Sequence, residues 1–196
     1  MATFRIGLTG GIGSGKSYVC GLLAERGIRV YDCDAAAKRL LRTSSRLQKE
    51  LSLLIGEPVM TDGTLNKSVL SKYLLASEAN QSKLNRVIHP AVIEDFLSSD
   101  YRWMESAILF ESGYAHVVDY IVCVTCPDVI RIERICRRDG ITPEMARQWM
   151  ARQWPQEHVV KNTQFEIVND GKADLSVQID ALLKDIQECS RRMKGM

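Results

Sequence analysis

The chain has 196 residues, 45% apolar and 26% charged, with 26 Lys and Arg against 24 Asp and Glu for a formal net charge of +2. That balance fits one globular domain with room for subdomains and excludes a low-complexity chain; so small a charge selects no polyanionic partner, and neither nucleic acid nor a membrane is called for. Nothing near Met1 resembles a signal peptide, and no apolar stretch approaches the roughly 18 to 20 residues of a membrane span, so the cytoplasm is the expected location.

The first predicted element is a buried strand in Phe4-Arg5-Ile6-Gly7-Leu8-Thr9. Gly10-Gly11-Ile12-Gly13-Ser14-Gly15-Lys16-Ser17 follows and fits G-x-x-x-x-G-K-[ST] at every fixed position. Val19, Cys20, Leu23 and Ala24 then recur at helical spacing until Gly27 closes the helix. Strand, glycine loop and helix thus come in the order a phosphate-binding loop requires. Without β-carbons, such a loop turns its backbone N–H groups inward and lets phosphate oxygens approach them. Lys16 is placed to reach the β- and γ-phosphates and the Ser17 hydroxyl to ligate Mg²⁺, which takes its other oxygens from nucleotide and water.

A second strand, Ile28-Arg29-Val30-Tyr31, leads into Asp32-Cys33-Asp34. On an extended backbone two residues' spacing puts both carboxylates on one face, at the carboxyl end of a strand where ligands of open α/β sheets gather. Asp34 also reads as the N-cap of the helix that starts at Ala35, and the two roles are compatible. From Leu40 to about Trp103 the pattern becomes helical, through Leu47, Leu51, Leu54 and Ile55, then Val69, Leu70, Tyr73 and Leu74, then Leu84, Val87 and Ile88. A crossover between parallel strands needs only about a dozen residues, so this insertion reads as a second lobe able to hold a substrate. His89-Pro90 inside it reads, on its own, as a structural turn.

Ala107-Ile108-Leu109-Phe110 is the third strand expected, delivering Glu111 either as support for Mg²⁺ or as a plain strand-end acid. Tyr120 to Cys126 is the fourth; its Cys123-Val124-Thr125-Cys126 has no second pair to complete a zinc site, and the six cysteines read mostly as small buried apolar residues. Arg131, Arg134, Arg137, Arg138, Arg147 and Arg152 follow, a solvated surface or, in a chain with a triphosphate loop, a lid of phosphate-matching guanidinium groups; the lid is the preferred reading. Phe165 to Val168 is the fifth strand, Asn169-Asp170-Gly171 a turn, and Leu175, Ile179, Leu182, Leu183 and Ile186 an amphipathic helix ahead of a basic tail. Strands alternating with helices indicate a mostly parallel, helix-covered sheet.

With these residues in hand, the chain resembles the dephospho-coenzyme A kinase family over nearly its full length. The likeness rests on Ile6 to Ser17, on Asp32 and Asp34, on Leu84, Asn85, His89 and Pro90, on Ile108-Leu109-Phe110-Glu111, on Arg134 to Gly140 and on Asn169. The resemblance implies a P-loop NTPase fold, a three-layer α/β/α arrangement with a five-stranded parallel sheet. Its core takes about 1–34, 104–130 and 162–196, its helical CoA-binding lobe about 35–103 and its lid about 131–161. It also implies ATP and dephospho-CoA as substrates, with Mg²⁺ as the metal. Catalysis then falls to Asp34, Lys16 and Asp32, and ATP to Gly11, Gly13, Ser14, Gly15, Lys16, Ser17, Tyr18, Arg138 and Asn169. Substrate contacts fall to His89, Lys38 and Lys67, and the metal to Ser17, Asp32 and Glu111.

The chain departs from the family pattern at Tyr18, Lys38, Lys67, Arg131, Glu105-Ser106-Ala107 and Thr163-Gln164. These changes touch substrate contacts and leave the loop and the carboxylate pair intact. Other kinases of the same fold share the loop, but no glycine triplet of the shikimate kinase kind follows the third strand. A GTPase needs Asn-Lys-x-Asp, and Asn66-Lys67-Ser68-Val69 lacks the aspartate.

Overall fold

Short apolar runs and helical repeats alternate along the chain, and the computed structural model, which describes residues 4–194, turns them into strands and helices in that order. They are β1 (Ile6–Thr9), α1 (Lys16–Glu25), β2 (Val30–Asp32), α2 (Cys33–Thr43), α3 (Ser45–Ile55), β3 (Met60–Thr61), β4 (Thr64–Leu65), α4 (Lys67–Ala76) and α5 (Glu78–Ser98). After these come β5 (Trp103–Glu105), a 3-10 turn (Tyr114–Val117), β6 (Tyr120–Thr125), α6 (Asp128–Asp139), α7 (Pro143–Met150), α8 (Gln156–Lys161), β7 (Phe165–Val168) and α9 (Leu175–Lys194). Gly195 and Met196, the end of the basic tail, lie outside the described residues.

The chain divides into two units by the density of its contacts, Met1–Tyr31 with Tyr101–Met196, and Asp32–Asp100. The first holds a five-stranded sheet in the order β2-β5-β1-β6-β7, with β5, β1, β6 and β7 paired parallel. One face is buried by Ile6, Leu8, Val122, Val124 and Ile167 against Val19, Leu22 and Leu23 of α1 and Ile179, Leu182 and Ile186 of α9. Each such side chain contributes about 1.5–3 kcal/mol on leaving water, so this cluster fixes where α1 begins and hence where the loop before it sits.

Two boundaries differ from those the sequence predicts. The second strand starts at Val30, because the Ile28 N–H is taken by the Leu23 carbonyl at 3.0 Å and belongs to the end of α1. The third strand is Trp103–Glu105, not Ala107–Phe110. The ladder with β1 ends where Ser106 N–H donates to Leu8 O at 3.0 Å; the Ser106 hydroxyl then accepts from Ile108 N–H at 3.3 Å and turns the chain. The apolar run serves instead as a cover: a methyl group added to Gly7 would strike Leu109, which is fully buried. A short apolar run reads alike whether it forms a strand or packs on one.

The second unit is helical, with α2, α3 and α4 each packed on α5. Leu47, Leu51, Val59, Leu84, Val92 and Phe96 are buried there. Arg39–Asp95, half-buried at Asp95, and the exposed pair Arg46–Glu94 add ion pairs open to solvent, so packing dominates. A small hairpin, β3 with β4, turns on Asp62-Gly63, both at positive φ. His89-Pro90 forms no turn; both residues lie inside α5.

Candidate phosphate-binding site

Between β1 and α1 the glycine loop closes on itself. Lys16 Nζ donates to Gly10 O at 2.8 Å, and Ser14 N–H donates to Gly11 O at 3.1 Å. Gly15 caps α1 with φ of 93°, a backbone form that favours glycine, and the Val19 N–H bonds to its carbonyl. The first N–H groups of α1 therefore point into the loop with the positive end of the helix dipole behind them, an arrangement suited to an anion. Ser17 and Tyr18 are exposed on the first turn, while Ser14 is buried, and its hydroxyl has no hydrogen-bond partner among the described residues.

Two arginines of α6 reach this loop. Arg131, 5% exposed, donates Nε to Ile12 O at 3.0 Å and pairs with Asp128 at 3.0 Å. Arg134 donates to Ser14 O at 3.3 Å and to Asn169 Oδ1 at 3.2 Å. Asn169, placed by β7 and bonded through its own N–H to Thr125 O, donates Nδ2 to Ser14 O at 2.8 Å. A Cβ on Gly15 would overlap that amide, and one on Gly11 would overlap the Arg131 guanidinium. The loop is thus held by side chains from α6 and from the end of β7, and the net field around it is positive.

Of the residues the sequence assigns to nucleotide, Gly11, Gly13, Ser14, Gly15, Lys16, Ser17, Tyr18 and Asn169 come together here. Arg138 does not: it is exposed at the end of α6 and forms a two-pronged pair with Asp139, whose carboxyl it holds below its ordinary pKa. Arg134 and Arg131, one and two turns earlier on the same helix, are the arginines that touch the loop. Glu111 lies beyond the end of β5, exposed, accepting the Trp154 N–H at 3.0 Å. The acid at the carboxyl end of β5 is Glu105, in register with Leu8 of β1, and the sequence reading passed over it by starting the strand too late. Its signal was the acid that ends the apolar pair Trp103-Met104.

Cys123 and Cys126 are buried free thiols. Burial pushes Cys123 up to about 12, with Glu166 adding to it, so this thiol stays protonated and unreactive at neutral pH.

In the second unit, Asp32 ends β2 and is the N-cap of α2, its carboxylate accepting the Ala35 N–H at 2.8 Å. Asp34 lies in the first turn of α2 and is not the cap; Lys38 follows one turn later on the same face, and both are exposed. Lys67 is the exposed first residue of α4, behind the Asn66 cap, and His89 is half-buried in the middle of α5.

A family model described as dephospho-CoA kinase matches residues 4–174. A dephospho-CoA kinase of Bacteroides fragilis is 43% identical, with 91% of each chain covered, and one of Chlorobaculum tepidum is 35% identical over 92% of this chain and 94% of its own. Among solved structures, TT1252 from Thermus thermophilus superposes with a TM-score of 0.75 at 28% identity, covering 94% of this chain and 98% of that one. The matched span takes in the loop, the arginines of α6 and Asn169 together, and on that ground the chain belongs to the dephospho-CoA kinase family.

Proposed function

We infer that this protein transfers the γ-phosphoryl group of ATP to the ribose 3′-hydroxyl of dephospho-CoA, giving coenzyme A and ADP. The observation that carries this reading is the family match across residues 4–174, which spans a braced phosphate loop and both acids of the Asp32–Asp34 pair.

Phosphoryl transfer asks the protein mainly for positioning and for charge stabilisation. The N–H groups of Gly13, Gly15, Lys16 and Ser17 cradle the phosphates, Ser14 is assigned to the nucleotide beside them with its own N–H held by the Gly11 carbonyl, and Lys16 gives up its contact with the Gly10 carbonyl for phosphate oxygens. Tyr18 and Asn169 complete nucleotide binding together with the lid of about 131–161, whose α6 arginines include Arg138. Asp34 is assigned as the base that orients the attacking hydroxyl and takes its proton. His89, Lys38 and Lys67 are assigned to the CoA moiety, held by the helical lobe.

Among the described residues no group of three or more His, Cys, Asp and Glu could cage a metal. Mg²⁺ bound through nucleotide, water and one or two protein oxygens asks for no such cage, and we assign Ser17, whose hydroxyl is exposed at the start of α1, with Asp32 and Glu111, as the residues that would hold it. When bound, the ion neutralises charge on the β- and γ-phosphates. The buried free thiols of Cys123 and Cys126 suit a reducing compartment, and we place the protein in the cytoplasm. The test is to incubate protein with ATP, Mg²⁺ and dephospho-CoA and to weigh the product. Coenzyme A, with none formed when ATP is left out, is expected; ATP consumption with no gain of phosphate on dephospho-CoA would rule the assignment out.

A further inference from the structure

Ile12, inside the phosphate loop, has both ends of its peptide held by residues far along the chain. Its N–H donates to Gln153 Oε1 at 2.8 Å, and its carbonyl accepts from Arg131 Nε at 3.0 Å. Gln153 is engaged at its other end as well, with Nε2 donating to Ala107 O at 3.2 Å in the turn behind β5. The next residue fastens the same segment: Trp154 stacks on Phe110, ring centroids 5.4 Å apart, and donates its N–H to Glu111 Oε1 at 3.0 Å. A primary amide is the side chain with one strong acceptor and one strong donor on a shared carbon, and both are used here.

A glycine-rich loop has more backbone freedom to lose on binding than an ordinary one, and each residue fixed beforehand lowers that cost. We propose that Gln153 is a positioning residue for nucleotide binding. With Arg131 it fixes the Ile12 peptide, so that the loop is set before a triphosphate arrives, and it ties that loop to the turn behind β5. The Ile12 N–H is committed to Gln153 and the Ser14 N–H to the Gly11 carbonyl, which leaves phosphate oxygens to the N–H groups of Gly13, Gly15, Lys16 and Ser17. The inference rests on the loop binding a nucleoside triphosphate, as proposed above, and is indifferent to which hydroxyl receives the phosphoryl group.

Gln153→Met keeps the length of the side chain and removes both polar atoms. Its Kd for ATP by titration calorimetry, and its KM for ATP, should rise about three- to tenfold, the effect of losing a hydrogen bond that orders the site. Its kcat and its KM for the acceptor should stay within about twofold, since the contact is made equally in ground and transition states. An unchanged Kd, or a loss confined to kcat, would overturn the proposal. Should the variant not fold, the unaltered protein still answers. Without nucleotide, the Ile12 amide should exchange its hydrogen at least about tenfold more slowly than an unstructured peptide; exchange at the unstructured rate overturns the brace. Wild-type protein that binds ATP yet leaves dephospho-CoA untouched would refute the proposed reaction while the ATP titrations still decided the role of Gln153.

Discussion

Asp32 spends its carboxylate on the backbone of α2, accepting the Ala35 N–H and closing the first turn of that helix. Asp34, two positions on, is exposed in that turn and makes no capping bond to it. The two should therefore fail differently. Asp32→Ala should cost about 0.5–2 kcal/mol of stability, the usual loss of an N-cap, in a denaturant titration. Asp34→Asn should leave the unfolding midpoint nearly in place and lower kcat roughly 10²- to 10⁴-fold with ATP still bound, as loss of a general base does. A kcat reduced by less than about threefold would move the base elsewhere. The sequence placed Asp32 at the end of a strand correctly, but it kept Asp34 on the same extended backbone, where the chain is already helical, and assigned the cap to the wrong member. The strand gives way to helix at Cys33, and that one-residue change of backbone is not marked by residue type.

At the scale of elements, α5 carries Pro90 well inside its 21 residues. Proline has no N–H for the carbonyl of Arg86 and crowds it, an arrangement that costs a helix interior roughly 3 kcal/mol relative to alanine. Pro90→Ala should accordingly stabilise the protein by about 1–3 kcal/mol, read as a higher denaturation midpoint; a lower midpoint would mean that the packing of α5 depends on the proline. Sequence reading made His89-Pro90 a turn because X-Pro disfavours helix locally, and the burial of Leu84, Val92 and Phe96 on either side outweighs that preference. The phosphate loop was legible for the opposite reason: motif, preceding strand and following helix are contiguous. Its braces were not. Gln153 and Arg131 meet Ile12 across 141 and 119 residues, and no period or spacing in the chain records such a meeting. Asn169 was found through its place in a family pattern, whereas its bond to the Ser14 carbonyl was visible only in three dimensions.

For the whole molecule, a ligand that binds the folded chain alone stabilises it by mass action. With Mg²⁺-ATP at about 100 times its Kd, the gain is about 2.7 kcal/mol, or roughly 5–10 °C in Tm for a chain of 196 residues. Lys16→Ala should remove about half of that shift or more and lower turnover with it, since a charged hydrogen bond to phosphate is worth roughly 10- to 100-fold in affinity. Identical melting curves for the two proteins with and without ATP would remove the nucleotide site from the loop.

The glycines at 11 and 15 leave room for the Arg131 guanidinium and the Asn169 amide, before any nucleotide is considered. An exchange of either glycine therefore has to displace a side chain that belongs to a residue more than a hundred positions downstream, so the short motif near the start of the chain and two distant residues answer to one another.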